Sequence, residues 1–136
     1  MNKLDHKSAK VLIAEDDLDI RQLLSQIATN KGFLVIEADN GKEAVDLAST
    51  EVPDLIVLDL SMPLIDGISA AKEIRESKRL RGIPILFMTA HGRLGISLFC
   101  EIDIIDEGGL IEYISKPFSR SEFEDKLDQL CPQHES

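Results

Sequence analysis

Hydrophobic residues in this chain form short unbroken runs that alternate with stretches where they recur every three or four positions. Val11 to Ala14 is the first run, rich in β-branched residues and halted by Glu15, Asp16 and Asp17, which reads as a buried parallel strand followed by a loop. Beyond it Ile20, Leu23, Leu24, Ile27 and Ala28 share one helical stripe, and Gly32 marks the end of that helix. Phe33 to Ile36 reads as a second strand. Asn40-Gly41 then opens a helix with Ala44, Val45 and Ala48 inward, bracketed at its end by Ser49 and Pro53. Leu55 to Leu58 is the most apolar run, as a central strand covered on both faces requires, and it ends on Asp59. Met62-Pro63 and the turn residue Gly67 lead into a helix with Ile68, Ala71 and Ile74 inward and Lys72, Glu73, Glu76 and Lys78 on its wet side. Pro84 to Met88 predicts a fourth strand ending at Thr89, and Ile111 to Ser115 a fifth ending at Lys116-Pro117. Ser119 and Glu122 have the spacing of a capping box, Phe118 and Phe123 that of the surrounding hydrophobic staple, and Phe123, Leu127 and Leu130 face the core.

Strands interleaved this regularly with helices predict an α/β fold with a doubly wound parallel sheet, because parallel neighbours need crossovers that helices supply. Residues 1–9 read as a polar tail, 10–131 as one domain and 132–136 as a C-terminal tail, without repeats or low-complexity tracts. The stretch from Ala90 to Gly109 fits least well. Gly92 and Gly95 fall where a helix should begin, and Ile96, Ile102, Ile104 and Ile105 lower helix propensity slightly. A helix from Ile96 to Glu107, closed by Gly108-Gly109, is the expectation there.

With 136 residues the chain has length for about one domain and its core. A formal charge of −10 argues against nucleic acid or an anionic membrane as partner, since phosphate backbones are bound by clustered Lys and Arg. A protein or a small ligand fits better. The two cysteines, Cys100 and Cys131, lack metal-site spacing, and no apolar run suggests a signal peptide or a membrane span, so a cytoplasmic setting is expected.

The chemistry lies at the strand ends. Glu15 and Asp16, Asp59, Thr89 and Lys116 each follow or close a hydrophobic run, and the C-terminal ends of parallel strands converge on one edge of the sheet. Like charges about 4 Å apart repel by roughly 1 kcal/mol in water and by more when partly buried, so three carboxylates there need a cation. Clustered carboxylates favour Mg²⁺, which prefers oxygen ligands and keeps waters until a phosphate arrives. Asp17 and Asp19 instead read as residues that cap a helix or complement its dipole. Lys116 precedes a proline at a strand end, where extended geometry, or a cis bond, would fix the direction of its amine.

In order along the chain, Glu15-Asp16-Asp17, the run Leu58-Asp59-Leu60-Ser61-Met62-Pro63 with Gly67, Thr89-Ala90, and Tyr113 followed by Lys116-Pro117-Phe118 closely resemble the receiver domains of two-component response regulators, of the single-domain type. The resemblance covers Val11 to about Cys131 and implies a flavodoxin-like (βα)5 sheet. It also implies that Asp59 is the phosphoacceptor and that Asp16, Asp59 and the Ser61 backbone carbonyl hold Mg²⁺, with Glu15 acting through water. Lys116 would pair with the phosphoryl oxygens, Thr89 would be the switch hydroxyl, and Tyr113 an aromatic that exchanges outward and buried rotamers. The implied partners are a sensor histidine kinase or histidine phosphotransfer protein upstream and an unidentified protein downstream, with phosphorylation-dependent dimerisation left open. Such a domain catalyses its own phosphorylation and dephosphorylation and is not a turnover enzyme.

This chain departs from the family between Thr89 and Lys116, where the separation is longer and richer in glycine. His91 lies there and, with Ser61, is a candidate for tuning hydrolysis of the acyl phosphate, although a lone loop histidine is more often merely solvated. Among rivals, a haloacid-dehalogenase-like phosphatase wants a second acid two residues after the nucleophile, where Ser61 stands. A receiver-like module that never takes phosphate would have no need of the whole acid and lysine set. A flavin protein of this fold would lack rings to stack, with one Tyr and no Trp.

Overall fold

The computed structural model describes residues 9–62, 64–90 and 111–131. In chain order the elements are β1 (Lys10–Ala14), α1 (Leu18–Asn30), β2 (Leu34–Ala38), α2 (Gly41–Glu51), β3 (Leu55–Asp59), α3 (Gly67–Glu76), a 3₁₀ turn (Lys78–Leu80), β4 (Ile85–Thr89), β5 (Ile111–Ser115) and α4 (Arg120–Leu130). The helix expected over Ile96–Glu107, the residues Cys100 and His91, and most of both tails lie outside the described residues.

The five strands form one parallel sheet in the order β2-β1-β3-β4-β5, the arrangement of a doubly wound flavodoxin-like fold. β3 and β4 are buried at every position, which explains their unbroken apolar sequences. Because side chains alternate across a strand, each feeds two cores. Val11, Ile13, Val57, Leu86 and Met88 pack with Leu24, Ile27, Phe123 and Leu127 of α1 and α4. Leu12, Ala14, Ile56, Leu58, Ile85 and Phe87 pack with Ala44, Ala48, Ala71 and Ile74 of α2 and α3.

Side chains close the helix starts. Asp17, Asn40 and Asp66 accept hydrogen bonds from the amides of Ile20, Glu43 and Ser69. Ser119 and Glu122 form the full capping box, and the rings of Phe118 and Phe123 stack with centroids 5.8 Å apart as the staple. One inward position is corrected. The buried arc of α1 runs through Leu24, Ser25, Ile27 and Ala28, which turns Leu23 to the rim at 59% exposure. β2 also begins one residue later than its apolar run, with Phe33 buried between the turn at Lys31-Gly32 and the strand. Among the described residues no helix is long and apolar enough to cross a membrane.

Candidate functional site

Sheet register brings the strand ends into step. Ala14 is level with Leu58, Asp59 with Met88 and Thr89 with Ser115, so Glu15, Asp59, Thr89 and Lys116 emerge within about one residue of the same edge. Carboxylate oxygens of Glu15, Asp16 and Asp59 lie within 4.8 Å of one another, an arrangement that could hold a metal ion. Glu15 and Asp59 are buried at 1% and 4% exposure, whereas Asp16 faces solvent.

Lys116 Nζ joins the acids, 3.0 Å from Glu15 Oε1 and 3.4 Å from Asp59 Oδ2. Glu15 Oε2 accepts from the Asp17 amide at 3.1 Å, and Asp59 Oδ1 from the Ser61 amide at 3.3 Å. Burial dominates at Glu15 and raises its pKa, reinforced by the Asp59 charge and opposed by its bonds from Asp17 and Lys116. At Lys116 burial alone would lower the pKa. The Glu15 hydrogen bond and the Asp59 charge outweigh it, so the ammonium is held above its ordinary value.

The peptide bond between Lys116 and Pro117 is cis, and the Lys116 amide donates to the Thr89 carbonyl at 2.7 Å. Thr89 is buried at the end of β4. Ser61 is exposed, two residues past Asp59. Tyr113 is level with Phe87, further back along the sheet, and is 40% exposed, so it stands apart from the acid cluster. An apolar groove of about 500 Å³ opens beside Lys116, lined by Ile20, Leu23, Leu24, Pro117 and Phe118.

Two residues that the sequence pattern does not single out also reach this edge. Arg21 of α1 donates from Nη1 to the Glu15 carbonyl at 2.9 Å and from Nε to Glu37 Oε1 of β2 at 2.8 Å. Their pairing crosses between elements, so no local spacing announces it.

The response regulator receiver domain family matches residues 11–128. Sporulation initiation phosphotransferase F of Bacillus subtilis (strain 168) is 32% identical over 126 residues, covering 90% of this chain and 94% of that protein. The probable transcriptional regulator ycf27 of Porphyra purpurea is 34% identical over 124 residues, covering 91% of this chain but 48% of the relative. The chain thus spans about half the length of the ycf27 relatives it matches. The receiver domain of the sensor histidine kinase PA1611 from Pseudomonas aeruginosa PAO1, solved with magnesium in its active-site cleft, superposes with a TM-score of 0.79 at 28% identity, covering 90% of this chain and 97% of that one. With the family matched across nearly the whole described sheet and its acid edge, this chain belongs to the response regulator receiver domains of two-component systems.

Proposed function

We propose that Asp59 accepts a phosphoryl group from the phosphohistidine of a sensor histidine kinase or histidine phosphotransfer protein, and that the phosphorylated chain changes which protein it binds. The observation that carries this reading is the meeting of Glu15, Asp16 and Asp59 within 4.8 Å, with Lys116 reaching both buried acids. That donor set is all carboxylate oxygen, which fits Mg²⁺. Asp16, Asp59 and the Ser61 carbonyl would hold the ion directly and Glu15 through water. Bound there, Mg²⁺ supplies positive charge against the transferred group.

The chain's own groups do the rest. A carboxylate oxygen of Asp59 attacks phosphorus, the P–N bond to the donor histidine breaks, and its electron pair returns to the imidazole. Lys116 takes up the added charge on the phosphoryl oxygens, and the Thr89 hydroxyl turns toward them. Tyr113 then exchanges its exposed rotamer for a buried one, a two-state element biased by the phosphate. Ser61, exposed two residues past Asp59, is a candidate for tuning hydrolysis of the acyl phosphate. The apolar groove along α1 offers the donor protein a surface next to Lys116. Each cycle ends in hydrolysis of the chain's own aspartyl phosphate, so it acts as a cytoplasmic switch and not as a turnover enzyme.

The chain covers 94% of the Bacillus phosphotransferase and 48% of the Porphyra ycf27 regulator, so the reading is made for the receiver domain itself. Incubation with Mg²⁺ and acetyl phosphate should add the mass of one phosphoryl group to the native protein and none to Asp59→Ala. An unlabelled native protein would sink the proposal, and steady turnover of phosphate esters would replace it with a hydrolase. Beryllofluoride should bury Tyr113, and an unchanged ring would remove it from the mechanism.

A further inference from the structure

We propose that Arg21, oriented by Glu37, is a positioning residue that aims Asp16 into the acid cluster. The inference rests on reading Glu15, Asp16 and Asp59 as a Mg²⁺ site. Arg21 stands in the first turn of α1 with its side chain only 14% exposed. Its two bonds run to different elements, from Nη1 to the Glu15 carbonyl and from Nε to the Glu37 carboxylate. The carbonyl it holds belongs to the peptide that joins Glu15 to Asp16.

On the other side of Glu15, the amide donates to the Ala38 carbonyl at 3.0 Å. Beyond Asp16, the Asp17 amide donates to Glu15 Oε2 at 3.1 Å, so the peptides on both sides of Asp16 are tied down, and the torsions between them set the direction in which the Asp16 Cα–Cβ bond leaves the chain. That matters more for Asp16 than for its neighbour. The Glu15 carboxylate is gripped by the Asp17 amide and by Lys116. Among the described residues no hydrogen bond or ion pair holds the Asp16 carboxylate, so its backbone aims it. A planar guanidinium suits the task, since its fixed fork meets two acceptors at once, whereas a lysine offers one nitrogen on a flexible stem.

Charge alone predicts the opposite sign. Arg21 is a cation near three acids, so by electrostatics its loss would tighten binding of a divalent cation. Loss of positioning weakens it. Calorimetric titration of the unphosphorylated protein with Mg²⁺ separates the two. Arg21→Gln should weaken binding about tenfold, the scale of outer-shell partners at metal sites. Arg21→Lys keeps the charge and should also bind more weakly, with a displaced Asp16 amide resonance in the metal-free NMR spectrum. Glu37→Gln should weaken binding in the native background and add nothing in Arg21→Lys.

Mg²⁺ affinity equal to native, or tighter, in the Arg21 variants overturns the inference. Should Arg21→Gln fail to fold, Arg21→Lys and Glu37→Gln carry the same test. A native protein that binds no Mg²⁺ would sink the metal site and this inference with it, whereas native binding with indifferent variants sinks the inference alone.

Discussion

Gly67→Ala tests how closely Asp59, the proposed phosphoacceptor, is held. Gly67 opens α3, and a Cβ there would lie 2.5 Å from the Asp59 carbonyl oxygen, 2.9 Å from the Leu60 Cα and 3.1 Å from the Asp59 carbonyl carbon. Ordinary contact begins near 3.4 Å, so the backbone must part by about 0.9 Å, and no flexible side chain stands there to give way. Overpacking of this kind costs about 1–3 kcal/mol, of which alanine's better helix propensity recovers up to about 1. A net loss of about 1–2 kcal/mol is expected in urea unfolding. The same movement tilts the end of β3 that carries Asp59. A misplacement near 1 Å can slow a positioned reaction by about a hundredfold, so phosphorylation by acetyl phosphate, followed by mass spectrometry, should slow at least about tenfold.

Gly32→Ala is the control. Gly32 has φ +101° with nothing within 4 Å of a built Cβ, so alanine there strains the backbone by about 1 kcal/mol or more without touching the site. Its phosphorylation rate should match native. If Gly67→Ala kept native stability and rate, or slowed no more than Gly32→Ala, the close approach to Asp59 would not be what positions the carboxylate.

Val52 caps α2 with φ 45°, a left-handed geometry that a β-branched residue tolerates poorly, so Val52→Asn should raise the urea stability by roughly 0.5–1 kcal/mol. Leu24→Ala removes a fully buried side chain and should cost about 2–5 kcal/mol, while Leu23→Ala at the exposed rim should stay within about 0.5. Ser119→Ala breaks the capping box and should cost about 1 kcal/mol, with no change in Mg²⁺ affinity. Mg²⁺ at ten times its dissociation constant should stabilise the native protein by about 1.4 kcal/mol over a chelated sample and leave Asp16→Asn unmoved; a native protein indifferent to chelation would count against the site.

What was legible in the sequence was whatever depends on neighbours along the chain. Leu55 to Leu58 announced a buried central strand because no polar residue interrupts it. Ser119 with Glu122 announced a helix start because capping is a local hydrogen-bond pattern. The convergence of Glu15, Asp59, Thr89 and Lys116 was legible one step further on, because parallel topology alone aligns strand ends. The remainder depends on how elements rotate and meet. Leu23 fits the helical stripe by spacing, yet the sheet takes the arc centred nearer Leu24. Gly41 reads with Asn40 as the opening of a helix, but it is required by space, since a Cβ there would overlap the Ile65 carbonyl. Arg21 and Glu37 are ordinary surface charges in sequence and become a pair only when α1 lies against β2.

The distances around Lys116 bear on how a signal could leave the site. Its ammonium lies closer to Glu15, at 3.0 Å, than to Asp59, at 3.4 Å, so its nearer partner is the acid that takes no phosphate in the proposed reaction. Phosphorylation of Asp59 replaces a carboxylate of charge −1 with an acyl phosphate carrying about −1.5 to −2, a gain of up to about one negative charge with new acceptor oxygens, and draws that ammonium across, a change of partner that needs only a small displacement. The backbone of Lys116 is not independent of that pull, because its amide is bonded to the Thr89 carbonyl at 2.7 Å. In the proposed switch the lysine therefore tugs on the end of β4 while the Thr89 side chain moves toward the same phosphate. In that proposed switch two pulls from one added group converge on Thr89, one on its own side chain and one through Lys116, which is covalently continuous with β5 and so with Tyr113.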